Sequence, residues 1–124
     1  MAVITAAMAL TACSTGEPGT VAMVEGLRFE PNTITIEPGE TVRFANDSSE
    51  VHTVTAEQQS LPQGGQYFAS GNFESEAAAR EAIERGFIGP EEDYSVTLEQ
   101  PGAYAYICIP HESSGMRGTI VVER

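Results

Sequence analysis

Apolar and polar positions alternate in short runs over most of this chain, and the runs are rich in β-branched residues. They cover 21–25, 33–36, 41–45 and 51–56 in the first half, then 94–98, 103–108 and 118–122 in the second. Alternation with a period of two, bounded by turn residues, predicts strands. Glu37-Pro38-Gly39-Glu40 and Gln100-Pro101-Gly102 supply two of those turns. In the run 103–108, Tyr104, Tyr106 and Cys108 fall on one face and Ala103, Ala105 and Ile107 on the other. Tyr104 suits either plain core packing or a tyrosine corner, with its hydroxyl bonded to nearby backbone.

The segment 57–90 breaks the rhythm. Its centre, 75–85, predicts one short helix, with Asn72 or Ser75 as cap, alanines at 77, 78, 79 and 82, acids early, arginines late and Gly86 as the stop. Glu76 with Arg80 and Glu81 with Arg85 are spaced as i,i+4 pairs, each contributing about 0.2–0.5 kcal/mol. That is too little to hold the helix alone, so Ile83 and Phe87 are expected to dock on the strands. Leu61, Tyr67 and Phe68, around Gly64-Gly65, read as satellite packing or as a shield and docking surface.

Residues 1–13 differ in kind. Ala2 to Ala12 carry no charge and are small or apolar, a length that suits the apolar part of a signal peptide and is too short to span a bilayer. A basic leader is expected upstream of this sequence. The organisation read from the chain is therefore a signal remnant over 1–13, a polar tether over 14–20 and one domain over 21–124, near the common domain size of ~100–150 residues.

Composition narrows the function. Eighteen acidic residues face six basic ones, giving a net charge of −12. All six are arginine. Nucleic-acid binding needs a basic surface and is excluded. The acidity suits either a saline habitat or steering of a basic partner, and its spread along the chain favours the first.

The chemistry concentrates near the C-terminus. Cys108-Ile109-Pro110-His111 and then Met116 place a thiolate, an imidazole and a thioether in a C-x2-H-x4-M spacing, and the one other histidine is His52. Taken singly, each has an ordinary reading as a core or surface residue. Together, directly after an alternating strand, they form the set that suits one copper ion cycling between Cu(I) and Cu(II): two imidazoles, a thiolate and a weak axial thioether. Pro110 stiffens the loop and Gly115 allows the turn that brings Met116 back.

The stretch 102–111 followed by 115–122, with Ile36-Glu37-Pro38-Gly39-Glu40-Thr41-Val42 and the His52 segment, resembles the cupredoxins, and among them the plastocyanins and the halocyanins of salt-loving archaea. The resemblance covers most of 21–124. It implies an all-β, Greek-key β-sandwich and one-electron transfer without substrate chemistry, between membrane-associated protein partners. It also implies that His111 presents its ring edge through a small apolar patch, where Ile109, Pro110 and Arg117 are docking candidates. The family commonly has proline before the first histidine ligand and, after it, an asparagine that ties the ligand loops. Here Val51 and Thr53 stand in those places, making Thr53 a candidate support for the site.

Enzyme readings lack ligands, since a multicopper oxidase or nitrite reductase domain needs further histidines. The chain is read as a monomeric carrier rather than an enzyme. The alternative is an exported copper protein for delivery or storage, which would favour clustered methionines or cysteines, whereas Met1, Met8 and Met23 are scattered. Finally, Leu10-Thr11-Ala12-Cys13 resembles the lipobox of prokaryotic lipoproteins. That implies lipidation of Cys13 and anchoring at the outer face of the cell membrane or the periplasmic side. The opposing reading is an unmodified Cys13, or one paired with Cys108.

Overall fold

In the structure, a computed structural model that describes residues 19–124, eight strands build two four-stranded sheets. The strands are β1 (Thr20–Val24), β2 (Arg28–Glu30), β3 (Thr33–Ile36), β4 (Thr41–Asn46), β5 (Thr55–Ala56), β6 (Asp93–Thr97), β7 (Gly102–Ile107) and β8 (Arg117–Val122). One sheet has the order β2-β1-β4-β6 and the other β3-β8-β7-β5. Two pairings are parallel, β1 with β4 and β3 with β8, so the chain crosses between sheets rather than running as a simple meander. This is the expected β-sandwich.

The alternating runs supply its core. Val21 and Met23 of β1, Val42 and Phe44 of β4, Tyr104 and Tyr106 of β7 and Ile120 and Val122 of β8 are all buried. Tyr106 reaches across from one sheet to the other and meets Phe29 and Phe44 edge-on, with ring centroids 4.8 Å and 5.1 Å away. Each such pair contributes about 0.5–1.5 kcal/mol beyond its area burial. Gly118, opposite Tyr106 in the register of β7 and β8, leaves room for the tyrosine ring end. Tyr104 fills both roles open to it: it is buried, and its hydroxyl donates to the Gln100 carbonyl at 2.7 Å, closing the corner before β7.

Several expectations need correction. The run 51–56 has the composition of a strand, yet only Thr55 and Ala56 pair with β7. The preceding amides go elsewhere: His52 N–H to the Ile88 carbonyl, Thr53 N–H to the Cys108 sulfur and Val54 N–H to the Ser70 hydroxyl. The strand β2 was not anticipated, because Arg28-Phe29-Glu30 offers a single apolar residue between charges. The helix is shorter than 75–85: α1 spans Glu76–Glu81 with Ser75 Oγ accepting from Ala78 N–H, and a 3-10 turn follows over Ile83–Gly86. That break removes the expected Glu81–Arg85 pair, and Arg85 instead lies over the Phe73 ring at 5.0 Å. Glu76–Arg80 forms as expected, at 2.9 Å. Phe87 does not dock and is 39% exposed, because its neighbour Ile88 turns inward to pair with His52. Among the described residues no helix is long and apolar enough to cross a membrane.

Candidate metal centre

Strand β7 ends at Ile107 and delivers Cys108 to one end of the sandwich, fully buried. From there the chain folds on itself over a few residues. Pro110 sits in the first of two short 3-10 turns that together cover Ile109–Ser114 and meet at a kink at His111; its fixed φ suits that turn, and His111 N–H donates to the Cys108 carbonyl at 3.2 Å. Gly115 ends the turn at φ 81°, a left-handed conformation that glycine adopts without strain. The chain then returns: Met116 N–H donates to the His111 carbonyl at 3.3 Å, and Cys108 N–H to the Met116 carbonyl at 3.0 Å. Met116 is thereby fixed beside Cys108 and buried, and β8 begins at the next residue.

His52 arrives from the other side of the fold. An antiparallel bridge to Ile88 holds its backbone in both directions, His52 N–H to Ile88 O at 3.1 Å and Ile88 N–H to His52 O at 2.8 Å. Its Nδ1 lies 3.7 Å from Cys108 Sγ, and its Nε2 is 2.8 Å from Ser48 Oγ. The His52 and His111 rings have centroids 5.1 Å apart. One donor atom from each of His52, Cys108 and His111 falls within a group whose members all lie within 4.8 Å of one another. These three side chains, from two distant stretches, could hold a single ion.

Thr53 joins the two stretches. Its backbone N–H points at Cys108 Sγ at 3.4 Å, its hydroxyl accepts from Ile109 N–H at 2.9 Å, and Thr55 Oγ1 lies 3.2 Å from that hydroxyl. A threonine therefore makes the tie for which an asparagine amide is the common solution. Asn46, Ser48 and Ile88, which support His52, escaped the sequence reading. Asn46-x-Ser48 at the end of an apolar strand, four residues before the histidine, is the signal that could have found the first two. Nothing in the sequence marks Ile88.

The electrostatics suit a cationic guest. Burial, followed by the neighbouring His111, lowers the His52 pKa, so this imidazole is neutral and keeps a lone pair for an ion. Burial pushes the Cys108 thiol up, against the hydrogen bonds aimed at it from Thr53 and His111. Without a cation the thiolate is disfavoured; with one, those donors stabilise it. His111 is the more open of the two histidines, and its Nε2 lies 3.2 Å from the Val51 carbonyl and 3.5 Å from a Glu50 carboxylate oxygen. The donor chemistry, a soft thiolate with two imidazoles and a thioether residue alongside, fits copper.

The remaining sequence candidates fall in different places. Ile109 and Pro110 are half-buried beside His111. Arg117 is exposed and lines a shallow groove with Asn32, Glu57 and Tyr106. Cys13 lies outside the described residues.

Residues 18–123 match the family model of copper binding proteins, plastocyanin/azurin family. The chain is 34% identical over 97 residues to plastocyanin of Scenedesmus fuscus, covering 78% of this chain and 88% of that one. It is 35% identical to the chloroplastic plastocyanin of Chlamydomonas reinhardtii, covering 78% of this chain and 59% of that one. The oxidised plastocyanin of Dryopteris crassirhizoma superposes with a TM-score of 0.61 at 25% identity, over 84% of this chain and 99% of the other. A β-sandwich with a buried cysteine between two histidines at one end, matched to that family over nearly its whole length, belongs to the plastocyanin/azurin family of copper-binding proteins.

Proposed function

We propose that His52, Cys108, His111 and Met116 hold one copper ion and that the protein carries single electrons between membrane-associated redox proteins. The observation that carries the reading is the convergence of a thiol and two imidazoles within 4.8 Å, in a buried pocket that keeps one imidazole neutral and aims backbone donors at the sulfur. Copper held by one thiolate and two neutral imidazoles supplies a one-electron couple whose net charge changes by a single unit.

The chain's own residues keep that change inexpensive by not moving. His52 is fixed through its backbone to Ile88 and through its ring to Ser48. Cys108 and Met116 are locked to each other by their backbones, and Thr53 ties both stretches together. Ile88, which bridges His52, is buried in the same apolar core as Cys108 and Met116, which excludes water from that side. His111 is the exposed edge of the set and the entry point for electrons. Ile109 and Pro110 beside it, together with the exposed Val51, form the apolar contact, and Arg117 adds a local positive charge. The carrier acts as a monomer. It is exported and held at the outer face of the cell membrane or the periplasmic side through a lipid on Cys13, with the polar segment ahead of β1 as tether and the two-sheet domain, which β1 opens at Thr20, as the working part.

The copper-loaded protein tests the central reading. An intense visible thiolate-to-copper band is expected; a protein that binds copper without it does not have Cys108 as a ligand. Fractionation of cells expressing the full gene tests the anchor. Wild-type protein in the membrane fraction, and Cys13→Ala protein released from it with unchanged copper loading, is the expected result.

A further inference from the structure

Behind His52 lies a chain of buried polar groups that no feature of the copper motif requires. It starts at Asn46, the last residue of β4, which is 1% exposed. Its Nδ2 donates to two carbonyls, Glu50 O at 2.7 Å and Ile88 O at 2.9 Å. A carbonyl only accepts, so the amide has one orientation and Asn46 Oδ1 faces the other way as an acceptor. Oδ1 takes Ser48 N–H at 2.9 Å and lies 2.7 Å from Ser48 Oγ.

Ser48 has one hydroxyl proton. The Asn46 oxygen at 2.7 Å and the Glu50 carbonyl at 3.3 Å can only accept it. The serine oxygen is then left as an acceptor, taking Glu50 N–H at 3.2 Å and one more donor. That donor is His52, whose Nε2 stands 2.8 Å away. The neutral imidazole therefore carries its proton on Nε2 and bares the Nδ1 lone pair, the nitrogen 3.7 Å from Cys108 Sγ.

We infer that Asn46 and Ser48 are positioning residues that set the His52 tautomer and ring orientation before any ion arrives, and that through the Nε2–H···Oγ bond they raise the donor strength of Nδ1 toward the oxidised metal. The part that concerns the metal rests on the assignment of His52 as a ligand; the part that concerns the tautomer does not. A ligand imidazole that donates its second N–H is a better base, and loss of such a partner typically costs about 10- to 100-fold in metal affinity. The oxidised ion, the harder Lewis acid, depends more on that basicity than the reduced one. Removing the acceptor thus favours Cu(I) over Cu(II).

Two measurements test this. In the metal-free wild-type protein at neutral pH, long-range proton–nitrogen NMR is expected to show His52 protonated at Nε2 and bare at Nδ1. A proton on Nδ1 would mean that Ser48 donates to the ring and would overturn the relay without needing any variant to fold. In the copper-loaded protein, Ser48→Ala is expected to keep the intense visible band, to bind Cu(II) about tenfold or more weakly, and to show a higher reduction potential, with Ser48→Thr restoring the wild-type values. A Ser48→Ala protein with the band, affinity and potential of wild type overturns the role toward the metal. Absence of the band in wild type itself refutes the ligand assignment instead, while the NMR result still decides the tautomer.

Discussion

The two stretches that meet at the candidate centre are built by opposite means. The stretch from Cys108 to Met116 is local. Its shape follows from backbone bonds between residues a few positions apart and from one left-handed glycine, and much of its surface is open. The stretch from Asn46 to Thr55 is held from a distance, by Ile88, Ser70, Ile109 and Cys108, through buried side-chain and backbone bonds. The local loop can change its exposed residues at little cost. The remote stretch cannot lose a polar group without leaving its partners unsatisfied in the interior, at about 1–3 kcal/mol for each.

The sharpest way to separate them is Cys108→Ser. It is expected to abolish the visible band completely while the metal-free variant unfolds cooperatively near the wild-type midpoint, since the sandwich core lies in the alternating strands. An intensely blue Cys108→Ser protein would sink the assignment. Asn46→Ala attacks the other stretch. It takes one of two donors from each of the Glu50 and Ile88 carbonyls and leaves the Ser48 amide without its acceptor, and it is expected to destabilise the metal-free protein by roughly 2–4 kcal/mol. Urea unfolding checks this. For contrast, Gly115→Ala in the local loop meets open space and suffers only its positive φ, a cost of about 1–2 kcal/mol. If Gly115→Ala proves the more damaging, the contrast between the two stretches is wrong.

Met116→Gln sharpens the local side. If Met116 supplies the weak axial ligand proposed for it, replacing its soft thioether with an amide oxygen is expected to retain copper and lower the potential; an unchanged voltammogram would show that it does not. Thr53→Val cuts the tie between the two stretches while keeping the side-chain shape. It leaves Ile109 N–H without its acceptor and is expected to cost about 1–2 kcal/mol in unfolding free energy. Should Thr53→Val unfold at the wild-type denaturant midpoint, the tie contributes nothing.

The smallest effect belongs to α1. Arg80 grips Glu112, the residue after His111, with two bonds of 2.8 Å and 3.0 Å, and Glu76 with a third. The groups are about one-third exposed, so solvent screens them. Arg80→Ala is expected to cost under about 1 kcal/mol, and less in molar salt than at low ionic strength. A loss of more than that, unchanged by salt, would mean that α1 is a structural part of the ligand loop rather than an ornament beside it.

Legibility in the sequence followed the same division. Thr33–Ile36 was readable to the residue, and β1, β4, β6, β7 and β8 to within one at each end, because each presents its apolar face with a period of two. The copper motif was readable because Cys108, His111 and Met116 are close in the chain and their spacing is itself the loop. Where reading went astray, a long-range bond had overruled a local preference. Val51-His52-Thr53-Val54 has the composition of a strand, but its amides were claimed by Ile88, Cys108 and Ser70. Phe87 carries the larger apolar surface, yet the pairing of Ile88 with His52 turned it outward.

By itself, then, the sequence determined what depends on neighbours along the chain: the strands and their buried faces, the turns at Gly39 and Gly102, and the identity of the thiol, imidazole and thioether groups. Tertiary structure alone decided how those groups meet. It brought His52 against Cys108, gave Thr53 the work of an asparagine, and set Asn46 and Ser48 behind the imidazole. The reason is one of range. Side-chain periodicity and turn chemistry act over a few residues, whereas a buried hydrogen bond is specified by both of its ends, and at this site the ends of the bond from Thr53 N–H to Cys108 Sγ lie 55 residues apart.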